Sequence, residues 1–239
     1  MNKVLVTGAA RRVGRGIALW FARAGWDVAI HCRVLDADAQ SAAQEIRNLG
    51  RKAVIVDGDL EDAAALGTIV PRAADALGGL DALINSAAII EKGNVSDVTR
   101  EQFERHHRIN LWAPLVLSRD FAALEREGII IHLSDALEKW SMSPDFAAYA
   151  LSKHGLAHLM RLQSEAWAPR IRVNVIALGA TLPAKGEEEL FKKIAASNPS
   201  GRTSSVEEVC DTIRFFLDSH AVTGRIVSLE GAVSGGSSP

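Results

Sequence analysis

The sequence predicts a single α/β domain in which helices cover both faces of a doubly wound, parallel sheet of seven strands. The chain has 239 residues, of which 48% are hydrophobic and 23% are charged, so it can bury a large core. Short runs rich in β-branched residues alternate with longer segments of helical period. Most of these runs are almost continuously apolar, which is typical of strands covered on both faces. We therefore expect residues 1–239 to form one domain.

The predicted elements follow one another in a regular order. The strands are KVLVT, DVAIHC, KAVIVDGD, LDALINSAA, GIIIHLSD, IRVNVIAL and RIVSLEG. Segments such as GRGIALWFARAG, DAQSAAQEIRNLG and EDAAALGTIVPRAADALG have the length that a crossover between parallel strands needs. This alternation predicts a Rossmann-type sheet. The long segments that follow the fifth and sixth strands are expected to line a ligand crevice. The SGGSSP tail at about 234–239 is expected to be flexible.

Composition and charge exclude several classes of partner. The net charge is −2 and the 27 basic residues are scattered, so neither nucleic acid nor a membrane is an expected partner. Cys32 and Cys210 do not have the spacing of metal-ligating cysteines and are expected to be buried, inert thiols. No signal peptide or spanning run is recognisable, which favours a cytoplasmic protein. Of the seven histidines, only His154 and His158 share one helix face, and no suitably placed glutamate joins them, so no metal site is expected.

The first strand runs into a glycine-rich turn, TGAARRVG, that begins a helix. Gly8 can adopt a backbone turn closed to other residues, and Gly14 lets the chain approach a pyrophosphate. The N–H groups at the start of the following helix favour an anion. The turn, with Arg11, Arg12 and Val13, is therefore a candidate dinucleotide-binding loop, although a tight strand-to-helix turn would give the same pattern.

The end of the second strand indicates which dinucleotide is bound. NAD enzymes place an acidic residue there to hold the adenosine ribose, whereas this chain has Cys32 followed by Arg33. A guanidinium suits a 2′-phosphate, and Arg11 and Arg12 add to the same positive corner. The expected cofactor is NADP(H). Asp36 and Asp38 come late enough to belong to the start of the next helix.

The only tyrosine in the chain, Tyr149, stands four residues before Lys153. On a helix, residues at this spacing share a face. A phenol has a pKa of ~10, and a nearby ammonium favours its ionised form, so the lysine is expected to lower the tyrosine's pKa towards the range useful in catalysis. The pair is a candidate proton donor, and the alternative is an ordinary amphipathic helix.

These motifs together resemble the short-chain dehydrogenase/reductase family. TGAARRVG is similar to its opening motif, with Arg12 in place of the middle glycine. INSAA, the Asn110 segment HRINLWAP, the tyrosine and lysine, VNVIALGAT and TGRIVSLEGA extend the resemblance over essentially the whole chain. Within this family, the chain most resembles pteridine reductases and dihydromonapterin reductases, which commonly have arginine or lysine at the position of Arg12.

The resemblance implies further site residues. Lys153 would hold the nicotinamide ribose hydroxyls, and Asn110 would support a proton-relaying water. Asp59 and Leu60 match the pair that contacts adenine, although Asp59 also suits a strand-to-helix cap. The remaining implied cofactor contacts are Asn85, Ala87 and Gly179, and the implied substrate contacts are Arg12, Ile90, Asp135 and Tyr149.

The position of the family's catalytic serine, thirteen residues before the tyrosine, holds Ala136 here. Aligning on the strand instead places Asp135 there, as in pteridine reductases, and leaves Ser134 as the other candidate. A carboxyl group can pass a proton towards Tyr149 when a ring nitrogen must be protonated. The alternative role of Asp135 is a cap at the strand end.

The expected activity is therefore transfer of a hydride from NADPH to a pterin-like C=N bond or a carbonyl. The chain departs from pteridine reductases in having Ile89 and Ile90 where an aromatic ring would stack on the pterin, which leaves Trp140 or Phe146 as substitutes. The alternatives are a ketone or 3-oxoacyl reductase, and a cofactor-binding regulator without turnover. The resemblance also implies a homotetramer, formed through the helices that contain Asn110 and Tyr149.

Overall fold

A computed structural model describes residues 2–135, 144–183 and 186–231. In these residues, seven parallel strands form one sheet in the order β3-β2-β1-β4-β5-β6-β7. The strands are β1 Lys3–Val6, β2 Asp27–Cys32, β3 Ala53–Asp57, β4 Ala82–Asn85, β5 Gly128–Asp135, β6 Ile171–Leu178 and β7 Ile226–Leu229. Every predicted strand is present, and the predicted doubly wound sheet is confirmed.

Helices connect the strands. They are α1 Arg12–Arg23, α2 Ala37–Asn48, α3 Ala63–Leu77, α4 Arg100–His107, α5 Ala113–Ala122, α6 Ala147–Trp167, α7 Glu188–Ser197 and α8 Val206–Asp218, with a π-helical turn, Arg108–Trp112, joining α4 to α5. Within the described ranges, none of these helices combines the length and apolar character needed to cross a bilayer. The predicted flexible tail at about 234–239 and the candidate Trp140 lie outside the described residues.

Two apolar layers pack on opposite faces of the sheet, because successive side chains of a strand point in opposite directions. In β1, Val4 and Val6 belong to the layer that contains α1, α2 and α8, whereas Leu5 belongs to the layer that contains α3, α5 and α6. All three side chains are fully buried. The continuous apolar strands seen in the sequence therefore reflect cores on both faces.

The chain winds outwards in both directions from β1, which lies between β2 and β4. A sheet of this kind opens a crevice where the strand order reverses, at the carboxyl ends of the strands. The predicted strand LDALINSAA is shortened at this point to Ala82–Asn85. The backbone N–H groups of Ser86 and Ala87 leave the sheet to donate to Thr7 Oγ1, each at 2.9 Å. The ends of β1 and β4 are thereby joined at the crevice.

Side-chain caps distinguish α1 from its neighbours. Asp36, Asp62, Thr99 and Ser205 cap the N-termini of α2, α3, α4 and α8 through their side-chain oxygens. The first turn of α1, by contrast, has no acidic residue and no side-chain cap from its N-cap residue Arg11. Since the first N–H groups of a helix need acceptors, the start of α1 favours an external anion.

Gly8 and Gly14 are both required by the path of the turn before α1. Gly8 has a φ of 64°, in the left-handed region. A Cβ atom on Gly14 would lie 2.4 Å from the carbonyl oxygen of Gly8. Gly14 thus allows α1 to pack directly on the turn, a constraint additional to the pyrophosphate approach expected from the sequence.

We expect Gly14→Ala to lower the free energy of unfolding by about 1–3 kcal/mol, because the new methyl group must displace backbone atoms. Gly67→Ala is the matched control, since the exposed Gly67 in α3 has no atom within 4 Å of its added Cβ. That change should stabilise the helix by about 0.5–1 kcal/mol. Thermal unfolding followed by circular dichroism, at one protein concentration, measures both; equal melting temperatures for the two variants would contradict this account.

Candidate active site

A cavity of about 530 Å³ lies at the carboxyl ends of the central strands. Its wall contains most of the side chains that the sequence predicts for cofactor and substrate: Gly8, Arg11, Arg12, Val13, Gly14, Ala87, Ile90, Asp135, Tyr149, Lys153 and Gly179. Further lining residues are Ser86, Ala88, Leu133, Ser134, Leu178, Ala180, Thr181 and Leu182. The sheet topology therefore brings the glycine-rich turn, the end of β5 and the start of α6 together.

A short hydrogen bond joins Tyr149, in the first turn of α6, to Asp135, the last residue of β5. The Tyr149 hydroxyl donates to Asp135 Oδ2 at 2.6 Å. Tyr149 is only 8% exposed, so this bond lies in a poorly solvated setting, where it is stronger than in water. The neighbouring Ser134 points elsewhere, since its hydroxyl donates to the backbone carbonyl of Lys153 at 3.4 Å. Of the two candidates, Asp135 is the one in direct contact with the tyrosine.

Burial and the Asp135 carboxylate raise the pKa of Tyr149 well above its ordinary value. The net pKa of Tyr149 is therefore not moved towards neutrality, contrary to what the spacing of Tyr149 and Lys153 alone predicts. The physical reason is that burial disfavours the phenolate and the adjacent carboxylate repels it. A tyrosine in this environment holds its proton at neutral pH.

Lys153 is buried beside the tyrosine, with only 4% of its surface exposed. Its ammonium donates to the Leu133 carbonyl at 3.0 Å and lies 5.9 Å from the centre of the Tyr149 ring. Burial lowers the pKa of Lys153 to about 8, although Asp135 opposes that change. Lys153 thus remains largely cationic at neutral pH and loses its charge in mildly alkaline solution.

Asn110 occupies the π-helical turn and is 1% exposed. Its amide nitrogen donates to the Ile89 carbonyl at 2.9 Å and to Ser152 Oγ at 3.0 Å, and its amide oxygen accepts from the Ile89 N–H at 2.9 Å. Asn110 therefore binds the backbone that follows β4. The proton-relaying water implied by the family resemblance stays a prediction.

Arg12 replaces a family glycine and adopts the left-handed conformation that glycine favours, with a φ of 52°. Its guanidinium donates to the carbonyl oxygens of Leu182 and Pro183, at 3.1 and 3.0 Å, in the segment after β6. Arg12 consequently connects the glycine-rich turn to the opposite wall of the cavity.

Arg11 and Arg33 lie at the end of the crevice nearest β2. Arg11 forms ion pairs with Asp36, at 2.5 Å, and with Asp38, while Arg33 is exposed directly after Cys32. The sequence places Asp36 and Asp38 correctly at the start of α2 but does not reveal these ion pairs. Cys32 is buried, and burial raises the pKa of its thiol to about 11, as expected of an inert cysteine.

Four predicted cofactor residues, Arg33, Asp59, Leu60 and Asn85, are not among the described residues that line the cavity. Asp59 accepts the backbone N–H of Glu61 at 3.0 Å, Leu60 is buried in the apolar layer around α3, and both follow β3. Asn85 is buried in the core. Its amide nitrogen contacts His132 Nδ1 at 3.1 Å and Ser118 Oγ at 3.4 Å, so its side chain serves the sheet interior.

Two histidines in the strands connect polar groups in the protein interior, and the sequence interpretation did not identify them. His132 contacts Gln163 Oε1 at 2.8 Å as well as Asn85, and burial lowers its pKa to about 4. His31 accepts the backbone N–H of Gly8 at 3.3 Å and contacts the Gly58 carbonyl at 3.0 Å. A histidine inside an apolar strand run was the available signal, but its partners are distant in sequence.

The aliphatic side chain of Ile90 contributes to the cavity wall and is 59% exposed. Phe146, an aromatic candidate for pterin stacking, is half-buried at the start of α6 and is not among the described lining residues. In the described part of the wall, the residue in the stacking position is thus aliphatic.

Comparison with known protein families identifies the family of this chain. A family model described as enoyl-(acyl carrier protein) reductase matches residues 8–234. The chain belongs to the short-chain dehydrogenase/reductase family. It is therefore an NAD(P)-dependent oxidoreductase of that family.

Individual relatives include two oxidoreductases. The uncharacterized oxidoreductase YghA of Escherichia coli K12 is 34% identical over 181 residues, which are 74% of this chain and 62% of that protein. The L-2,3-butanediol dehydrogenase of Corynebacterium glutamicum is 29% identical over 98% of this chain and 99% of its own length.

Similar solved structures include complexes with NADP. FolM alternative dihydrofolate reductase 1 from Brucella canis, complexed with NADP, has a TM-score of 0.89 and 33% identity, with 96% of this chain and 93% of that chain covered. A short-chain dehydrogenase from Burkholderia cenocepacia J2315, also in complex with NADP, has a TM-score of 0.90 and 28% identity, with 97% of both chains covered.

The glycine-rich turn of this short-chain dehydrogenase/reductase suits a dinucleotide pyrophosphate. Gly8 and Gly14 keep the turn free of side chains, and the uncapped start of α1 offers N–H groups. Arg33 beyond β2 and Arg11 beside it would hold the adenosine end. The residues present therefore fit the group expected from the sequence.

Cofactor discrimination should depend on the ion pairs of Arg11. Asp38→Asn is expected to tighten NADPH binding roughly two- to fivefold, because an exposed ion pair that competes with the 2′-phosphate is removed. Arg33→Ala should weaken NADPH binding, and both changes should leave NADH binding nearly unaltered. Titration of intrinsic tryptophan fluorescence gives the dissociation constants, with Asp75→Asn in α3 as the control. Weaker NADPH binding by Asp38→Asn would mean that Asp38 positions Arg11 for the phosphate instead.

Proposed function

We propose that this protein is an NADPH-dependent reductase that delivers a hydride to a pterin-like C=N bond, with Tyr149 and Asp135 acting together on the proton. The observation that supports this proposal best is the hydrogen bond of 2.6 Å between these side chains in the wall of the cavity. Reduction of a C=N bond needs a hydride on carbon and a proton on nitrogen. When bound, NADPH supplies the hydride.

Tyr149 and Asp135 form a coupled proton-donating pair. Tyr149 is protonated at neutral pH, and its raised pKa makes it a weak acid unless a neighbouring group accepts its proton. In the described conformation this proton is directed at Asp135 Oδ2. A substrate nitrogen placed beside the carboxyl group would receive a proton from the pair, and the pair would regain one from solvent.

Lys153 and Arg12 have separate roles in this proposal. Lys153 keeps an ammonium group beneath Tyr149 and, as the family resemblance implies, would hold the nicotinamide ribose hydroxyls. Arg12 already spans the cavity between the turn before α1 and the segment after β6. Its donors would contact substrate or cofactor groups from the position that a glycine has in most family members.

Two findings favour a pterin-like substrate over the other substrates that members of the family reduce. Asp135 contacts the tyrosine where most of the family has serine, and a carboxyl group suits protonation of nitrogen. The structural neighbour from Brucella canis is named an alternative dihydrofolate reductase. The ketone or 3-oxoacyl reductase remains the second candidate, because Ile90 offers no aromatic ring and one relative is a butanediol dehydrogenase. The connected Tyr149, Asp135 and Lys153 argue against a regulator without turnover.

Substitution of Asp135 distinguishes the two substrate classes. Asp135→Asn keeps the side-chain shape but removes the ionisable group, so reduction of dihydrobiopterin should fall about 100-fold or more. Reduction of a simple diketone should fall much less, whereas Tyr149→Phe should impair both reactions. Steady-state kcat/KM values for the two substrates, with NADPH dissociation constants measured alongside, test this prediction.

The control for Asp135→Asn is the exposed substitution Asp75→Asn in α3, together with melting temperatures for all variants. Equal, modest losses for both substrates that follow a lower melting temperature would make Asp135 a strand-end cap. Unimpaired dihydrobiopterin reduction by Asp135→Asn would also reject the proton-donating role and favour the ketone reductase.

The protein is also proposed to be a homotetramer. Large apolar side chains are exposed on the helices expected to form the contacts: Trp112 at 51%, Leu151 at 55% and Leu162 at 67%. Exposed apolar surface of this kind is typical of subunit contacts.

Light scattering should give a mass about four times the 25.6 kDa of one chain at micromolar concentration. Leu162→Glu should shift the population to smaller species, because a charge would enter an apolar contact. Val95→Glu, at a residue 66% exposed and outside these helices, is the control. A strictly monomeric wild-type protein would refute the proposed assembly.

A further inference from the structure

The segment Ile89–Glu91 forms part of the cavity wall between β4 and α4, and side chains from α4 and the π-helical turn hold it in place. Asn110 binds both the N–H and the carbonyl of Ile89, each at 2.9 Å. His106 Nε2 accepts the N–H of Glu91 at 3.2 Å. Ile90, between these two anchored residues, places its side chain in the cavity wall.

The two anchoring side chains are one helical turn apart and therefore share a face of the helix. His106 is 1% exposed, and its Nδ1 donates to the Gln102 carbonyl at 2.8 Å. With the proton on Nδ1, Nε2 is free to accept, so these contacts define one neutral tautomer. A side chain without this acceptor would remove the partner of the half-buried Glu91 N–H.

Neighbouring charges restrain the same segment. The carboxylate of Glu91 pairs with Arg105, which also pairs with Glu61 at 3.1 Å. The ring of His106 also faces the Tyr149 ring edge-on, with centres 6.4 Å apart and an angle of 74°. His106 thus contacts both the segment that carries Ile90 and the residue proposed as proton donor.

We propose that His106 is a positioning residue that determines the place of Ile90 and thereby how well a flat, bicyclic substrate fits the cavity. This inference rests on the proposed reductase function. His106 acts through the Glu91 backbone and the Tyr149 ring and does not itself contact the reacting atoms. Its influence should fall on substrate binding more than on cofactor binding.

Three variants test the role. His106→Phe keeps a ring but removes the acceptor, and His106→Gln restores an oxygen acceptor at a similar reach. His107→Phe makes the same change at a half-buried neighbour on α4. For His106→Phe, KM for dihydrobiopterin should rise about five- to tenfold with a smaller change in kcat, and His106→Gln should recover most of this loss. KM for a small diketone and the NADPH dissociation constant should change little.

Hydrogen–deuterium exchange at the Glu91 amide provides a measurement that does not depend on turnover. Exchange should be faster in His106→Phe than in wild type, His106→Gln or His107→Phe. Unchanged exchange together with unchanged KM values would overturn the proposal, as would equal losses for both substrates. If the wild type reduces neither substrate, the proposed function fails and the specificity role fails with it, while the exchange measurement separately decides whether His106 anchors Glu91.

Discussion

The hydrogen bond between Tyr149 and Asp135 depends on most of the fold. Asp135 is the last residue of β5 and Tyr149 lies in the first turn of α6, so their contact requires the strand and the helix to meet at one point. The parallel sheet fixes that point, because Asp135 pairs in register with Leu178 of β6 at the same edge. The regular elements β5 and α6 therefore determine the positions of both residues.

The walls of the cavity are held by side chains that cross from one segment to another. Thr7 receives the N–H groups that follow β4, Asn110 binds the backbone of Ile89, and Arg12 binds carbonyls beyond β6. Each contact satisfies a polar backbone group in the segment that follows a strand, beyond the hydrogen bonds of the sheet. The polar residues around the cavity therefore stabilise its shape as well as supplying reactive groups. Because these contacts join distant segments of the chain, they hold together a site that is not contiguous in sequence.

The sequence predicts those parts of the site that depend on local patterns. Strand runs, the glycine-rich turn and the spacing of Tyr149 and Lys153 are local, and alignment on the strand places Asp135 beside the tyrosine. Contacts between distant residues are not visible in this way. The sequence predicts Asn85 as a cofactor contact but does not show that its side chain contacts His132 inside the core, nor that Arg11 pairs with Asp36 and Asp38. Both outcomes depend on how separate strands and helices pack, which no local spacing records.

The shift in the pKa of Tyr149 shows the same limit of prediction from local sequence, and it affects how the site handles protons. Local spacing pairs the phenol with an ammonium, which alone would favour the phenolate. In the folded protein, burial and Asp135 raise the pKa of Tyr149, and Asp135 also opposes the fall in the pKa of Lys153 that burial causes. A single carboxylate therefore favours the protonated form of both neighbours. A serine in its place would carry no charge and could not do so, so the presence of Asp135 at this position changes the electrostatics of both neighbours.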